Sequence, residues 1–436
     1  MNNIVEMKKI VKVYPNGVMA NESVDFSVTK GEIHALVGEN GAGKTTLMKI
    51  LFGIEEATSG KVFVAGKEVA IHSVNQALKL GLGMVQQHFM LVPSMTVAEN
   101  ILLGVEPMKG LFLDYTQMMD AAKKLCEKYR FDIDVHSRIE DLSVGDKQKV
   151  EILKVLYRQA EVIILDEPTA VLTPQETEEL FNQLLVLKQA GHTIVFISHK
   201  LREIKELCDR VTVMRRGRTV GTFVIDDITI EEISDHMMGQ KMRLDLPKTD
   251  SSPGEKRLHV QDVSFVNDEN KKVLSNLSFN LHAGEILGVV GVEGNGQKEL
   301  VDIITGSASS YSGQVLLKEV DLSQKNIREI RDLSLAYIPQ ERMSTGIAAE
   351  SSITENASSV IYRQKKYQKG PLVQWKKLHG LTRGLIKDYT IKTASEKTAV
   401  KMLSGGNIQK VVVARELMNS PEVIVAEQPT RGIDVG

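Results

Sequence analysis

The chain has 436 residues, of which 42% are apolar and 25% are charged, with 54 Lys and Arg against 56 Asp and Glu. This length exceeds the roughly 250–300 residues at which one hydrophobic core stops growing, so we expect at least two domains. The composition excludes wholesale disorder, and the near-zero net charge excludes a basic field that would recruit nucleic acid. Two cysteines, Cys126 and Cys208, are too few for a disulfide framework or a zinc site and fit a reducing compartment.

The sequence shows no sign of an export signal or a membrane span. The N-terminal residues MNNIVEMKKI lack the continuous apolar stretch of a secretory signal. The longest apolar runs, such as residues 194–197, are far shorter than the ~20 residues that cross a bilayer. We therefore expect a cytoplasmic protein that does not itself span the membrane.

Short apolar runs alternate with helix-like segments in the first half of the chain. The runs that predict buried strands of a parallel sheet, because they are too short for helices and lack polar alternation, are residues 33–37, 162–165 and 194–197. Residues 45–52 and 175–190 predict helices, and residues 89–141 predict a mostly helical inserted subdomain. This alternation predicts an α/β fold whose site lies at the carboxyl ends of the strands.

Three motifs occur twice in the same order, which indicates a tandem repeat. GENGAGKTT at residue 38 pairs with GVEGNGQKE at residue 291, an offset of 253. LSVGDKQKV at residue 142 pairs with LSGGNIQKV at residue 403, and DEPT at residue 166 pairs with EQPT at residue 427, both at an offset of 261. The second copy therefore carries a net insertion of eight residues, the difference between 261 and 253.

The repeat and the local composition predict the domain boundaries. Residues from about 240 to 256 are rich in Pro, Ser, Gly and charge, which favours a linker over a surface loop. We expect a first domain over residues 1–240, a linker over 241–256 and a second domain over 257–436. Because 436 − 261 is 175, we expect the second domain to lack about 65 residues at its C-terminus relative to the first, either because the sequence is a piece of a longer chain or because the natural chain is this short. If the natural chain is this short, we expect the core of the second domain to be incomplete and its stability to be lower.

A glycine-rich loop between an apolar run and a helix-like segment predicts a phosphate site. The stretch from Gly38 to Thr45 satisfies the pattern G-x-x-x-x-G-K-[ST]. Its glycines let backbone N–H groups face the phosphates of a nucleotide, and the following helix adds its positive N-terminal end. Lys44 is expected to reach the β- and γ-phosphates, and Thr45 to bind Mg²⁺. The loop residues predicted to contact the nucleotide are Gly38, Glu39, Asn40, Gly41, Ala42, Gly43, Lys44, Thr45 and Thr46.

Acidic residues at the end of a strand-like run predict the catalytic centre. Asp166 is expected to hold Mg²⁺, and Glu167 to orient or deprotonate the attacking water. His199 follows the third apolar run and is expected to sense the γ-phosphate. Gln87 is expected to contribute to catalysis and to the metal site. Tyr14 is expected to stack on adenine, with a half-buried strand aromatic as the alternative.

At LSGG, residues 403–406, the sequence resembles a known family. Over nearly its whole length the chain resembles the ATP-binding subunits of ABC transporters, which implies two tandem P-loop domains of the α/β class. Each would have a mostly parallel sheet and an inserted helical subdomain. In this family two domains pair head to tail, here within one chain, and ATP lies between one P-loop and the opposite LSGG signature. The second-domain residues implied to contact ATP are Ser404, Gly405, Gly406 and Asp434.

The departures from the family pattern all fall on one of the two composite sites. The replaced positions are the P-loop lysine (Gln297), the P-loop hydroxyl (Lys298), the strand-end aspartate (Glu427), the catalytic glutamate (Gln428) and two residues of the opposing signature (Val144 and Asp146). We therefore expect one functional site and one impaired site.

The asymmetry and the motifs LSVGDKQKVEILKVLYR and DEPTAVLTPQE resemble the fused ATPases of sugar and nucleoside importers, closer to the nucleoside branch. The resemblance implies an ATPase peripheral to the cytoplasmic face of the membrane. It would act on permease subunits, which the region of residues 87–99 would meet, and through them on a substrate-binding lipoprotein; no nucleic acid is implied. A simple-sugar importer is the alternative. More distant alternatives are a soluble tandem ATPase acting on ribosomes or DNA and a nucleotide-gated module without turnover.

Overall fold

A computed structural model describes residues 3–15, 17–87, 89–110, 112–239, 252–267, 270–292, 294–308 and 310–430. The described residues fall into two compact units, which we call unit 1 (residues 3–239) and unit 2 (residues 252–430). Most of the predicted linker, residues 241–256, lies outside the described residues. No helix in the described part of the chain is both long enough and apolar enough to cross a membrane.

Unit 1 alternates strands and helices. Its strands are β1 (Asn3–Val13), β2 (Met19–Thr29), β3 (Ile33–Val37), β4 (Ser59–Val64), β5 (Lys67–Val69), β6 (Leu82–Val85), β7 (Met108–Lys109), β8 (Phe112–Leu113), β9 (Val162–Asp166), β10 (Thr193–Ile197), β11 (Arg210–Arg215) and β12 (Arg218–Val224). Its helices are α1 (Lys44–Leu51), α2 (Val74–Lys79), α3 (Val97–Leu102), α4 (Tyr115–Tyr129), α5 (Val144–Tyr157), α6 (Pro174–Gln189), α7 (Leu201–Leu207) and α8 (Ile230–Met238). The predicted strands at β3, β9 and β10 and the predicted helices at α1 and α6 are confirmed.

The central sheet of unit 1 has the strand order β12-β11-β3-β10-β9-β6 and is parallel except for β12. Strand β3 therefore lies between β11 and β10. It contributes apolar side chains to both faces, since Ile33 and Ala35 pack into one hydrophobic core and Leu36 packs into the other, while the buried His34 contacts Glu32 and Thr212. The antiparallel sheet β2-β1-β4-β5 closes over the second core.

The inserted segment, residues 89–141, is less helical than predicted. Helices α3 and α4 and a 3₁₀ turn at Ile139–Asp141 occupy fewer than half of its described residues, and β7 and β8 form a small hairpin. Apolar residues of the insert, such as Ile101 and Met118, share one hydrophobic core with Ile33 of the central sheet. The insert therefore packs on the sheet and does not form a core of its own.

Unit 2 repeats part of this arrangement. Its strands are β13 (Lys256–Val266), β14 (Lys272–His282), β15 (Ser312–Leu317), β16 (Val320–Asp321), β17 (Leu335–Ile338), β18 (Gln368–Lys369), β19 (Leu372–Val373) and β20 (Val423–Ala426). Its helices are α9 (Gln297–Thr305), α10 (Ile327–Asp332), α11 (Ile353–Ser358), α12 (Trp375–Asp388) and α13 (Gly405–Leu417). The antiparallel sheet has the order β14-β13-β15-β16, and β17 pairs with β20 in parallel.

The parallel sheet of unit 2 is reduced to this one pair among the described residues. The pairing of Leu335 with Val423 matches that of Leu82 with Val162 in unit 1, so the two repeat offsets hold in three dimensions. Residues 286–290, the counterpart of β3, lie outside any strand, and Ile286 is 99% exposed. In unit 1 the matching segment, β3, pairs with β10 on one side and β11 on the other.

Candidate functional site

The glycine loop of unit 1 runs from the end of β3 into α1 and has the close-wrapped shape that was predicted. Gly41 and Gly43 adopt φ angles of 79° and 96°, a region that residues with side chains rarely enter. A Cβ atom on Gly43 would lie 2.4 Å from the Ala20 carbonyl oxygen. Glycine is therefore required where the loop passes β2 and turns into the helix.

Lys44 is the first residue of α1, and its side chain lies under the glycine loop. The residue is 6% exposed, and its Nζ donates to the carbonyl oxygens of Gly38 at 2.7 Å and Glu39 at 3.1 Å. These bonds hold the ammonium group against the loop that was predicted to receive phosphate. The other predicted nucleotide contacts on the same loop and first helical turn are Asn40, Ala42 and Thr46.

Asp166 ends β9 and presents a carboxylate oxygen without a partner. The residue is 4% exposed, and its Oδ1 has no hydrogen-bond partner among the described residues. Burial raises the pKa of Asp166, while the Thr45 hydroxyl and the Lys44 ammonium oppose the rise. A buried carboxylate oxygen beside a hydroxyl is the hard oxygen donor set that Mg²⁺ prefers. Asp166 and Thr45 therefore fit the predicted metal.

Glu167 and His199 come together because β9 and β10 are parallel neighbours whose carboxyl ends meet at one edge, where Asp166 pairs with Ile197. His199 Nδ1 lies 2.8 Å from one carboxylate oxygen of Glu167 and 3.0 Å from the other. The hydrogen bond to Glu167 raises the pKa of His199. Glu167 has a φ of 53°, and its N–H donates to the Ile197 carbonyl oxygen, so the turn fixes where its carboxylate lies.

Gln87 follows β6, the edge strand beside β9, so it lies at the same edge of the sheet as Asp166. Its side chain is exposed. The residue can approach a ligand bound over that edge from the side opposite β10. Its role at a metal or in catalysis stays a prediction.

Tyr14 follows β1 and is half-buried beside α1. Its hydroxyl oxygen lies 3.4 Å from the Thr46 hydroxyl and 3.3 Å from a Glu55 carboxylate oxygen. The Lys12 ammonium lies 5.2 Å from the ring centroid. The ring is therefore next to the glycine loop, but one face already contacts a cation. Stacking on adenine stays a prediction.

The two LSGG-like segments differ at the serine. Ser143 caps α5 in the ordinary way, accepting a hydrogen bond from the Asp146 N–H at 3.0 Å and donating to that residue's carboxylate at 2.9 Å. Ser404, before α13, makes no such cap; its hydroxyl accepts from the Asn407 side chain at 2.7 Å. Ser404 and the neighbouring Gly405 are exposed, whereas Asp434 lies outside the described residues.

A set of contacts among Thr169, Lys200 and Glu203, which we call the bracket, lies behind the turn after β9 and was not predicted from the sequence. Thr169 Oγ1 donates to a Glu203 carboxylate oxygen at 2.6 Å, and Lys200 Nζ donates to the Thr169 carbonyl oxygen at 2.9 Å. Lys200 and Glu203 also form an ion pair at 2.9 Å. These contacts tie the turn after Glu167 to α7. The recurrence of Thr169 as Thr430 in the second copy was the available signal.

Comparisons with known proteins agree with this geometry. Residues 21–170 and 274–431 each match the family described as ABC transporter. The chain is 40% identical over 433 residues to the nucleoside import ATP-binding protein NupA of Lactococcus lactis, covering 99% of this chain and 85% of that protein. It is 40% identical over 436 residues to the guanosine import ATP-binding protein NupO of Bacillus subtilis, covering 100% and 85%. It is 38% identical over 464 residues to the glucose import ATP-binding protein TsgD13 of Haloferax volcanii, covering 99% and 84%.

The chain therefore belongs to the ABC transporter family, as an ATP-binding subunit with two tandem ATPase domains. The family, the α/β fold class and the class of enzyme predicted from the sequence are confirmed. ATP and Mg²⁺ are the nucleotide and the ion of such domains.

Proposed function

We propose that this chain is the ATP-hydrolysing subunit of a nucleoside importer. The observation that carries the proposal is that Asp166, whose Oδ1 has no hydrogen-bond partner among the described residues, lies at the same edge of the sheet as the Glu167–His199 pair, beside the glycine loop. A nucleotide held over that loop has its terminal phosphate next to a carboxylate suited to water activation. This arrangement supports hydrolysis and argues against a module that only binds nucleotide.

The glycine loop and Lys44 bind the phosphates, and Tyr14 contacts the adenine. Thr45, Asp166 and Gln87 would hold Mg²⁺, which would neutralise negative charge on the phosphates. The fit of Asp166, a buried oxygen with no partner in the described part of the chain, supports this assignment.

Glu167 orients the attacking water and accepts its proton. His199 Nδ1 holds the Glu167 carboxylate in place. The other ring nitrogen of His199, Nε2, is then available for the γ-phosphate. The hydrogen bond from His199 to Glu167 is strongest when the imidazole is protonated. The raised pKa of His199 favours this protonated form. The bracket of Thr169 and Glu203 positions the turn that carries Glu167.

The second wall of the functional site is proposed to come from the other domain of the same chain. The domains extend over residues 1–240 and 257–436, joined by residues 241–256, and pair head to tail. Ser404, Gly405, Gly406 and Asp434 then face the γ-phosphate bound by Lys44. The exposed Ser404 hydroxyl, which does not cap its own helix, supports this role. ATP would favour the closed pair, and hydrolysis would let it reopen.

The partners follow from the relatives, all of which are described as import ATP-binding proteins. The chain lies at the cytoplasmic face of the membrane, bound to permease subunits and through them to a substrate-binding lipoprotein. Nucleosides are proposed as the cargo because both relatives at 40% identity are described as nucleoside or guanosine importers. Simple sugars are the second candidate, since glucose and xylose import proteins match at 38%.

The test is transport by the whole complex. The tagged chain is purified in mild detergent with its bound permease, reconstituted with the receptor in liposomes, and assayed for uptake of radiolabelled guanosine and xylose. We expect ATP-dependent guanosine uptake that Glu167→Gln abolishes. Uptake of xylose alone would overturn the nucleoside assignment, and recovery of ribosomes or nucleic acid in place of a permease would overturn transport.

A further inference from the structure

Two glycines in the loop of unit 2 have the backbone conformation of their counterparts in unit 1, while residue 293 of this loop lies outside the described residues. Gly294 and Gly296 have φ angles of 86° and 93°, against 79° and 96° for Gly41 and Gly43 at the matching positions. Both loops run into a helix that starts without a side-chain cap. The part of the loop that leads into the helix, whose backbone N–H groups would face a phosphate, therefore has the same conformation in both units.

Gln297 occupies the place of Lys44 and makes the same internal contact. Its Nε2 donates to the Val292 carbonyl oxygen at 3.2 Å, as Lys44 Nζ donates to that of Glu39 at 3.1 Å. The loop is thus closed by a neutral donor. One positive charge of the phosphate site is lost, but its shape is not.

The metal-ligand positions of unit 2 have changed. Lys298, an ammonium with no oxygen to offer, stands in the place of the Thr45 hydroxyl. Glu427 stands in the place of Asp166, and the Tyr337 hydroxyl donates a hydrogen bond to its carboxylate. Mg²⁺ requires oxygen donors in near-octahedral geometry. The hydroxyl ligand is absent and the carboxylate already has a donor, so the residues of unit 2 do not fit Mg²⁺.

Strands β17 and β6, which lie beside the acidic strand of their units, differ in that β17 carries Tyr337, the donor to Glu427. Tyr337 pairs with Val425 in β17–β20 as Met84 pairs with Ile164 in β6–β9, so Tyr337 and Met84 are equivalent. A methionine donates no hydrogen bond. Burial, followed by the contact with Glu427, raises the pKa of Tyr337, so the phenol keeps its proton at neutral pH and remains a donor.

Lys298 provides a positive charge next to these acids. Burial raises the pKa of Asp302, one turn further along α9, and the Lys298 ammonium opposes that rise most strongly among the neighbouring charges. The Lys298 ammonium therefore interacts electrostatically with the Asp302 carboxylate. In unit 1 the residue in the place of Lys298 is the neutral Thr45, and the residue in the place of Asp302 is Lys49.

We infer that unit 2 binds a nucleoside triphosphate or diphosphate without Mg²⁺, with the Lys298 ammonium supplying the positive charge that the metal supplies in unit 1. The inference rests on the proposed nucleotide site of unit 1, because the two loops are matched position by position. The site holds nucleotide and does not hydrolyse it, since Gln428 in place of Glu167 accepts no proton from water.

The test is equilibrium binding of radiolabelled ATP to the purified whole chain carrying Lys44→Ala, which weakens the site of unit 1. We expect one ATP per chain in excess EDTA, with a dissociation constant that Mg²⁺ changes by less than about threefold. Loss of binding in EDTA, or a dissociation constant more than about tenfold weaker than with Mg²⁺, would overturn the inference. Lys298→Ala in the same background should remove the EDTA-resistant binding.

The proposed function is tested separately in the same assay. The chain with Lys298→Ala and an unchanged Lys44 should still bind one ATP that EDTA releases. Loss of this Mg²⁺-dependent site would count against the site of unit 1, whatever unit 2 does. The two failures are therefore distinguishable.

A second measurement counts metal ions directly. Mn²⁺ replaces Mg²⁺ and is detected by electron paramagnetic resonance in the presence of saturating ADP. We expect one Mn²⁺ per wild-type chain, and two after Tyr337→Met, Lys298→Thr and Glu427→Asp restore the donor set of unit 1. Two ions in the wild type, or one ion in a folded triple variant, would contradict the inference. Tyr311→Phe is the matched control, since the Tyr311 hydroxyl has no hydrogen-bond partner in the described part of the chain.

Discussion

Units 1 and 2 share backbone conformations at matching positions of the glycine loop and of the turn after the acidic strand, but they differ in the side chains there. The turns after β9 and β20 both place a residue in the left-handed region, Glu167 at φ 53° and Gln428 at φ 40°. One turn presents a carboxylate that contacts His199, and the other presents a neutral amide. The backbone conformation of this turn is thus retained although the side chain at its left-handed residue has changed from a carboxylate to an amide.

The comparison extends to the core. Residues 33–37 and 286–290 are mostly apolar in both copies, but only the first segment forms a strand, which pairs with β10 and β11. Val37 is fully buried, whereas Val290 at the matching position is 96% exposed. The same local pattern therefore has two outcomes, and the outcome depends on what the neighbouring strands provide.

The largest difference in ATP turnover should be between a variant of Lys44 and the matching variant of Gln297. Lys44→Ala removes a charged donor from the phosphate site, and we expect ATP turnover to fall at least about 100-fold, in the range for loss of one electrostatic donor. Gln297→Ala removes a neutral donor and should change turnover less than about threefold. Steady-state phosphate release measures both. Equal losses of turnover in the two variants would mean that both units contribute to ATP hydrolysis.

The next effect concerns the turn behind Glu167. Thr169→Val removes the hydrogen bond to the Glu203 carboxylate, and bonds to charged groups contribute about 1.5–3 kcal/mol. We expect the free energy of unfolding of unit 1 to fall by about 1.5–3 kcal/mol, seen as a calorimetric transition at lower temperature. Thr430→Val, the matched substitution in unit 2, should move its transition much less. A smaller shift for Thr169→Val than for Thr430→Val would refute the role of the bracket.

A smaller effect should distinguish the two signature serines. Ser143→Ala removes a helix cap and should weaken hydrogen-exchange protection of α5 by about 0.5–2 kcal/mol. Ser404→Ala should leave protection of α13 within about 0.5 kcal/mol and instead lower ATP turnover. The assignment fails if Ser404→Ala destabilises its helix and leaves turnover unchanged.

Part of the site could be predicted from the sequence and part could not. Motif order and strand–loop–helix spacing predicted Lys44, Asp166 and Glu167 at one edge of a sheet, because parallel strands bring their carboxyl ends together. The Tyr337–Glu427 and Thr169–Glu203 contacts were not predicted, since each joins two elements and neither has a local pattern. The helical content of residues 89–141 was overestimated for a similar reason: the β7–β8 hairpin is too short to carry a strand pattern.

The smallest effect is a pH dependence confined to unit 1. The pKa of His199 is raised in the folded chain by Glu167, so the pair stabilises the fold fully below the unfolded-state value of ~6.5 and loses that contribution as pH rises through the folded-state pKa. We expect the stability difference between wild type and His199→Gln to shrink from pH 6 to pH 8, measured by the unit 1 transition. A difference that grows with pH would contradict this sign.

The central claim is that unit 1 alone hydrolyses ATP, and it is tested most directly by substituting the two equivalent turn residues in separate chains. Steady-state phosphate release should fall about 10²–10⁴-fold in Glu167→Gln, the range for loss of a general base, while ATP binding persists. Gln428→Ala should retain nearly all turnover. Near-normal turnover in Glu167→Gln, or an equally large loss in Gln428→Ala, would contradict the account.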